Sequence, residues 1–155
     1  MANSELIYDI IEALQDNLPW SQMYQGVTLS GGTTFVTVPL PEFIPITGYD
    51  DTVAPFILYS FISRMEDIER YYISVDNLRF YVYDNNIDRM WAVSRAIRNY
   101  LNVGDDIETL KGDIPSDSQF RVLNSALVSA LSLPPIERDG FVCTVNEFKV
   151  KYVLL

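Results

Sequence analysis

The sequence predicts an α+β fold: a mixed, mostly antiparallel β-sheet flanked by an N-terminal helix and one central amphipathic helix. Three observations carry that prediction. Leu6, Ile7, Ile10, Ile11, Leu14 and Leu18 recur at helical spacing near the N-terminus. Runs of β-branched and aromatic residues follow, clearest in "YYISVDNLRFYVY". Directly after Asp84-Asn85-Asn86 the period changes from two to about 3.6, in "IDRMWAVSRAIRNYL". The 155 residues, 48% of them hydrophobic, have the length of one domain with a real core, so 1–155 is read as a single domain.

The first helix spans "NSELIYDIIEALQDNL", with Asn3 or Ser4 as its cap and Pro19 as its stop. Its apolar residues take one side, and Glu5, Asp9, Glu12 and Asp16 form an acidic stripe on the other. "GVTLSGGTTFVTVPLP" reads as two short strands around Ser30-Gly31-Gly32, a hairpin signal. A phosphate loop there would need a following helix with Lys and Ser/Thr in register, and none follows. Residues 39–51, "PLPEFIPITGYDD", read as an irregular connection carrying Phe43, Ile44 and Ile46.

Pro55 opens a strand, "FILYSFIS", and "RMEDIER" turns the chain into the next. There Leu78, Phe80 and Val82 face one way, and Arg79, Tyr81 and Tyr83 the other. In the central helix Asn85 is the expected cap. Val93, Tyr100, Ile97, Met90, Leu101, Ile87 and Trp91 fill one broad arc, with Arg89, Asp88, Asn99 and Arg95 opposite. Arg98 falls inside that arc, between Ile87 and Trp91. It either snorkels at the edge or forms a salt bridge across a subunit contact.

"NVGDDIETLKGDIPSDSQ" reads as a solvated loop, since its acids do not align with a calcium-binding pattern. Residues 119–131 fit a helix through Phe120, Leu123, Leu127 and Leu131, and equally a strand through Phe120, Val122, Ala126 and Val128. After Pro134-Pro135, "ERDG" is a turn and "FVCTVNEFKVKYVLL" a closing strand. In it Thr144, Asn146, Phe148, Val150 and Tyr152 share one face. Lys149 and Lys151 share the other with Val145 and Glu147.

Composition narrows the function. The chain has no histidine, which removes the commonest general base and metal ligand and any Ser-His or Cys-His nucleophile within it. The acids lie in turns and on helix faces, where a catalytic carboxylate pair is not expected. No catalytic, metal or cofactor-binding residue is assigned, and an enzyme is not expected. The single cysteine, Cys143, excludes an internal disulfide and reads as a small buried apolar residue. No apolar run approaches the ~18 residues of a membrane span, and the start "MANSELIYDI" lacks the features of a secretory signal.

The net charge is −10 and uneven. Met1 to Ser63 contains seven acids and no Lys or Arg; from Arg64 onward 14 acids face 11 bases. Such a chain will not grip DNA through a basic patch.

"APFILYSF", "LRFYVYDNNIDRMWAVSRAIRNYL" and "ERDGFVCTVNEFKVKYVLL", with the N-terminal helix, cover most of the chain. In that order they resemble the tail terminator, or tail completion, proteins of long-tailed bacteriophages. The resemblance implies a structural virion protein in the tail or neck, assembled in the host cytoplasm. It implies a homo-oligomeric ring, typically a hexamer, that caps the tail tube. Its partners would be the tail tube protein and the head–tail connector, and genomic DNA would pass through the lumen without specific binding. Gly31, Gly32, Phe35, Tyr81, Tyr83 and Arg98 are the expected subunit-contact residues. Glu5, Asp9 and Glu12 are expected on the lumen wall, where like charge keeps DNA from adhering. The competing readings are another virion part (head completion, connector or baseplate) and a non-catalytic module that binds a small ligand or a protein.

Overall fold

The computed structural model describes residues 5–24, 27–28, 35–36, 41–46, 55–66, 73–133 and 142–155. Helices α1 (Leu6–Asn17) and α2 (Trp20–Met23) come first. Strands β1 (Val27–Thr28) and β2 (Phe35–Val36) pair antiparallel, as the hairpin signal predicts. Then come β3 (Glu42–Pro45), β4 (Phe56–Glu66), β5 (Ile73–Asp84), α3 (Ile87–Leu101), α4 (Glu108–Asp113), β6 (Phe120–Leu133) and β7 (Val142–Leu154). The main sheet has the order β3-β4-β5-β7-β6. Only β3 runs parallel to its neighbour; the other pairs are antiparallel. The expected α+β class, with an N-terminal and a central helix on a mixed sheet, is what forms.

Both long helices lie on one face of the sheet. Leu6, Ile7, Ile10 and Leu14 of α1 and Met90, Val93, Ile97 and Leu101 of α3 join Leu78, Phe80, Val82, Phe148 and Val150 in one core. Each fully buried side chain of this size stabilises the fold by ~1.5–3 kcal/mol. The period-two reading of β5 and β7 holds throughout: the register places Leu78 opposite Phe148 and Phe80 opposite Asn146, on the helix side. Arg79 pairs with Glu147 at 2.5 Å on the other face.

α1 stops where expected. The Leu18 N–H donates to the Leu14 carbonyl, and so does the Trp20 indole N–H, at 2.8 Å, so Pro19 leaves that carbonyl satisfied. Its N-cap position is Glu5, with no side-chain cap bond; the expected caps Asn3 and Ser4 lie outside the described residues. α3 is docked on β7 by a buried polar cluster. Ser94 Oγ hydrogen-bonds Thr144 Oγ1, and Asn146 Nδ2 donates to Ser94 Oγ at 3.4 Å. Such a cluster fixes the helix's position along the strand, because sliding would bury its groups unpaired.

Two expectations are corrected here, and one open alternative is decided. Within 39–51 the chain forms a strand: β3 lies parallel to β4, Phe43 beside Ile57. It has only four residues and ends on Pro45, which an edge strand tolerates. Within the segment read as a solvated loop, Glu108–Asp113 coil into α4, with Leu110 buried as an anchor. Residues 120–133 are a strand, β6, with register shifts at Leu123 and Val128. The segment after α3 shields the middle of this edge strand. Gly104, at φ +60°, donates its N–H to the Ser125 carbonyl at 2.7 Å and accepts the Ser125 N–H at 3.1 Å. Asn102 Oδ1 accepts the Leu127 N–H.

Candidate subunit interface

The face of the sheet away from the helices carries a second, smaller apolar cluster: Phe56 and Leu58, with Ile44, Tyr81 and Tyr83 packed against them. Tyr83 stacks on Phe56, ring centroids 4.8 Å apart at 19°. The two tyrosines thus lie together on the sheet face, as their alternation predicts, but they are half-buried within the subunit. Cys143 sits beside Tyr83 in the register and is fully buried. Gly31 and Gly32 lie outside the described residues. Phe35 is placed only as a residue of β2, opposite Thr28.

The strand-to-helix junction is built around an ion pair. Asp84, the last residue of β5, is fully buried, and the Arg89 guanidinium grips it with Nε–Oδ2 at 2.7 Å and Nη2–Oδ1 at 2.6 Å. Nη2 also donates to Asn85 Oδ1, and the Asn86 N–H donates to Asp84 Oδ1. Arg89 further lies over the Tyr24 ring, 5.2 Å from its centroid, so the pair ties α2 to the junction. The cap of α3 is Asn86, whose Oδ1 accepts the Arg89 N–H at 3.0 Å; it is not Asn85 as expected. Arg89, expected on the solvated side, is largely buried because α2 returns over it.

The acidic stripe is incomplete. Glu12 and Asp16 are exposed and Glu5 is half-exposed. Asp9 is 1% exposed and accepts the Ser118 hydroxyl at 2.5 Å, which ties α1 to the segment before β6. Asp9 therefore leaves both the solvated stripe and the set of residues able to line a wall of this subunit. The apolar arc of α3 is narrower than expected. Met90, Val93, Ser94, Ile97 and Leu101 are buried, but Ile87 is 55% and Trp91 37% exposed. Arg98 lies between them around the helix at about 100° per residue, half-buried, its Nε against the Ser94 carbonyl at 3.4 Å. Arg98 thus lies at the edge of the arc, where the snorkelling alternative placed it.

Two apolar hollows open on the β3 side. One, of about 250 Å³, is lined by Tyr8, Pro45, Ile46, Tyr59, Ser60 and Phe61. The other, of about 240 Å³, is lined by Gln15, Trp20, Pro41 and Phe43. Sequence reasoning did not find them, because they need β3 beside β4. Among the described residues no group of three or more His, Cys, Asp or Glu side chains could hold a metal ion. No helix among them is long and apolar enough to cross a membrane.

Burial weakens the acidity of several neutral groups. The Tyr24 and Tyr100 phenols are pushed well up by desolvation, helped by the charge of Asp84 at Tyr24 and by the Asp113 hydrogen bond at Tyr100. Tyr152 is pushed up to about 12 by desolvation and then by its bond to Asp76, and Cys143 to about 11 by desolvation. Unfolded, the phenols ionise near 10.0 and the thiol near 9.0. The unfolded chain thus loses these protons first, and stability must fall as pH rises through this window. We expect the melting temperature to hold near pH 8 and to decline steadily between about pH 9 and 12. Tyr152→Phe should flatten the upper part of that decline. A melting temperature independent of pH up to 12 would contradict the burial of these groups.

No family model and no curated protein sequence matches this chain. Among solved structures, it is similar to a chain in the virion of a native gene transfer agent particle. The two share 9% sequence identity and a TM-score of 0.60, over 92% of this chain and 90% of that one. The likeness is one of fold, and it spans nearly the whole of both chains.

Proposed function

We propose that this chain is a structural, non-catalytic virion protein of the tail terminator type, a ring-forming subunit that closes a tail tube and joins it to the head connector. The observation that carries the reading is the near end-to-end fold similarity to a chain of a virion particle. The sequence resemblance to tail terminators points the same way, and so does a chain without histidine. The exposed Glu12 and Asp16, within a stretch that lacks any cation, suit a surface past which DNA slides.

The test is position in the particle. Antibody against this chain, gold-labelled on intact particles and viewed by electron microscopy, should mark one end of the tail, at the neck. Label on a baseplate or scattered over the head would reassign it to another virion part. No particle-associated protein at all would overturn the reading.

A further inference from the structure

Two surfaces on opposite sides of the subunit match each other in polarity and charge. The first is the flank of α3 that turns away from the other helices. The opposite flank is occupied: Arg89 lies over Tyr24 of α2, and Tyr100 donates to Asp113 at the end of α4. The free-standing flank carries Ile87 and Trp91, one helical turn apart and both exposed, with Arg95 exposed and Arg98 half-exposed beside them. Neither Arg95 nor Arg98 forms an ion pair among the described residues. Trp and Arg together on an exposed helix flank are the residue types that dominate protein contacts.

The second surface is the hollow between α1 and the β3–β4 edge. Tyr8, Ile46, Tyr59 and Phe61 line it, and Tyr8 and Tyr59 meet edge to face at 6.4 Å. Glu12 and Asp16 follow Tyr8 one and two turns along the same side of α1, and both are exposed. This surface is therefore concave, aromatic and anionic. The α3 flank is convex, apolar and cationic. α3 packs over β5, β7 and β6, while the hollow sits at β3 and β4, so the two surfaces lie toward opposite edges of one sheet.

We propose that a second copy of this chain fills the hollow: Ile87 and Trp91 of one subunit enter between α1 and β3–β4 of the next, and Arg95 and Arg98 meet Glu12 and Asp16. Because the surfaces differ and sit on opposite edges, the contact is head-to-tail, which generates a ring where the rotation closes. The contact rests on the self-assembly part of the reading above, but not on the particle in which the protein serves. The tyrosines of the outer sheet face take no part in it.

Charge exchange tests it. One variant carries Arg95→Glu and Arg98→Glu; another carries Glu12→Arg and Asp16→Arg. All four positions lie on helix surfaces, and circular dichroism and melting confirm that each variant folds. Light scattering should give wild-type assemblies at a multiple of the 17.7 kDa subunit. Each variant alone should be monomeric, its contact weakened on the order of 100-fold or more. An equimolar mixture should recover the assembly, because alternating subunits restore opposite charge at every contact. Trp91→Ala should weaken assembly by roughly 30-fold without touching any charge. Folded variants that keep the wild-type mass, or a mixture that stays monomeric, would overturn the proposal. So would a wild type that is monomeric at every concentration. None of those results moves the gold label on the particle, so the two readings fail separately.

Discussion

Arg89→Met should destabilise the protein by about 3–5 kcal/mol, although it keeps most of the side chain's length. The reason is the carboxylate it abandons. Asp84 is fully buried, and two of its contacts come from the Arg89 guanidinium. The Asn86 N–H remains, but one backbone donor does not compensate a buried charge. The cation over the Tyr24 ring goes as well, so α2 loses a tie to the junction. The double variant Asp84→Leu/Arg89→Met should recover most of the loss, since an apolar pair of similar volume needs no desolvation of charge. Urea denaturation of the two single variants and the double gives the coupling directly. If Arg89→Met costs under ~1 kcal/mol, the pair behaves as an exposed surface bridge, and the junction is not built as described.

That junction shows how far the sequence could be read. The end of β5 and the start of α3 were legible from Asp84-Asn85-Asn86, because a cap cluster between two periodicities has one local meaning. Which asparagine caps depends on one residue of register, and Asn86 is the one that meets the Arg89 N–H. The partner of Asp84 was not legible. A helical wheel sees α3 alone and sets Arg89 opposite the core, whereas α2 returns from far upstream to cover it. The same limit explains Ile87 and Trp91. They lie at the margin of the apolar arc, and only the sheet's width decides whether a margin is covered. Asp9 is the converse case: its place on α1 says solvent, and Ser118, 109 residues away, makes it core.

β6 was ambiguous for a physical reason. Its helix-side residues, read from the pairing with β7, are Phe120, Val122, Ser125, Leu127 and Ala130. Two shifts of register make these residues fall alternately two and three apart, so a strict period of two fails, while the exposed Leu123 and Leu131 complete an apparent helical spacing with Phe120 and Leu127. β7 has no shift against β5 and was read correctly residue by residue. The expected contact tyrosines lie on the outer sheet face, as their alternation predicts, and are half-buried because Phe56 and Leu58 pack against them from within the subunit. For the contact proposed above, the sequence signal is in α3. Arg98 falls among apolar residues of α3, and a cation there marks a helix flank that is neither core nor open surface.

Phe80→Ala is the second change expected to have a large effect, again about 3–5 kcal/mol. Phe80 is fully buried in β5, its ring 6.3 Å from Phe43 and 6.2 Å from Phe148. Phe43 in turn meets Trp20 edge to face at 5.8 Å. This row of rings runs from β7 through β5 to β3 and α2, and the removed ring is at its middle. Truncation removes the transfer free energy of the ring and leaves a cavity that four elements would have to collapse to fill. Phe80→Leu should lose much less, because most of the volume remains. The effect should also reach the hollow. β3 is only four residues long, and Phe43 is its inward anchor. Loosening that anchor shifts Pro45 and Ile46, which line the hollow. Phe80→Ala should therefore shift the midpoint of urea unfolding at an unchanged slope, and should weaken self-association although it touches no surface residue. If Phe80→Ala is as stable as Phe80→Leu, the aromatic row is not what holds β3 to the sheet.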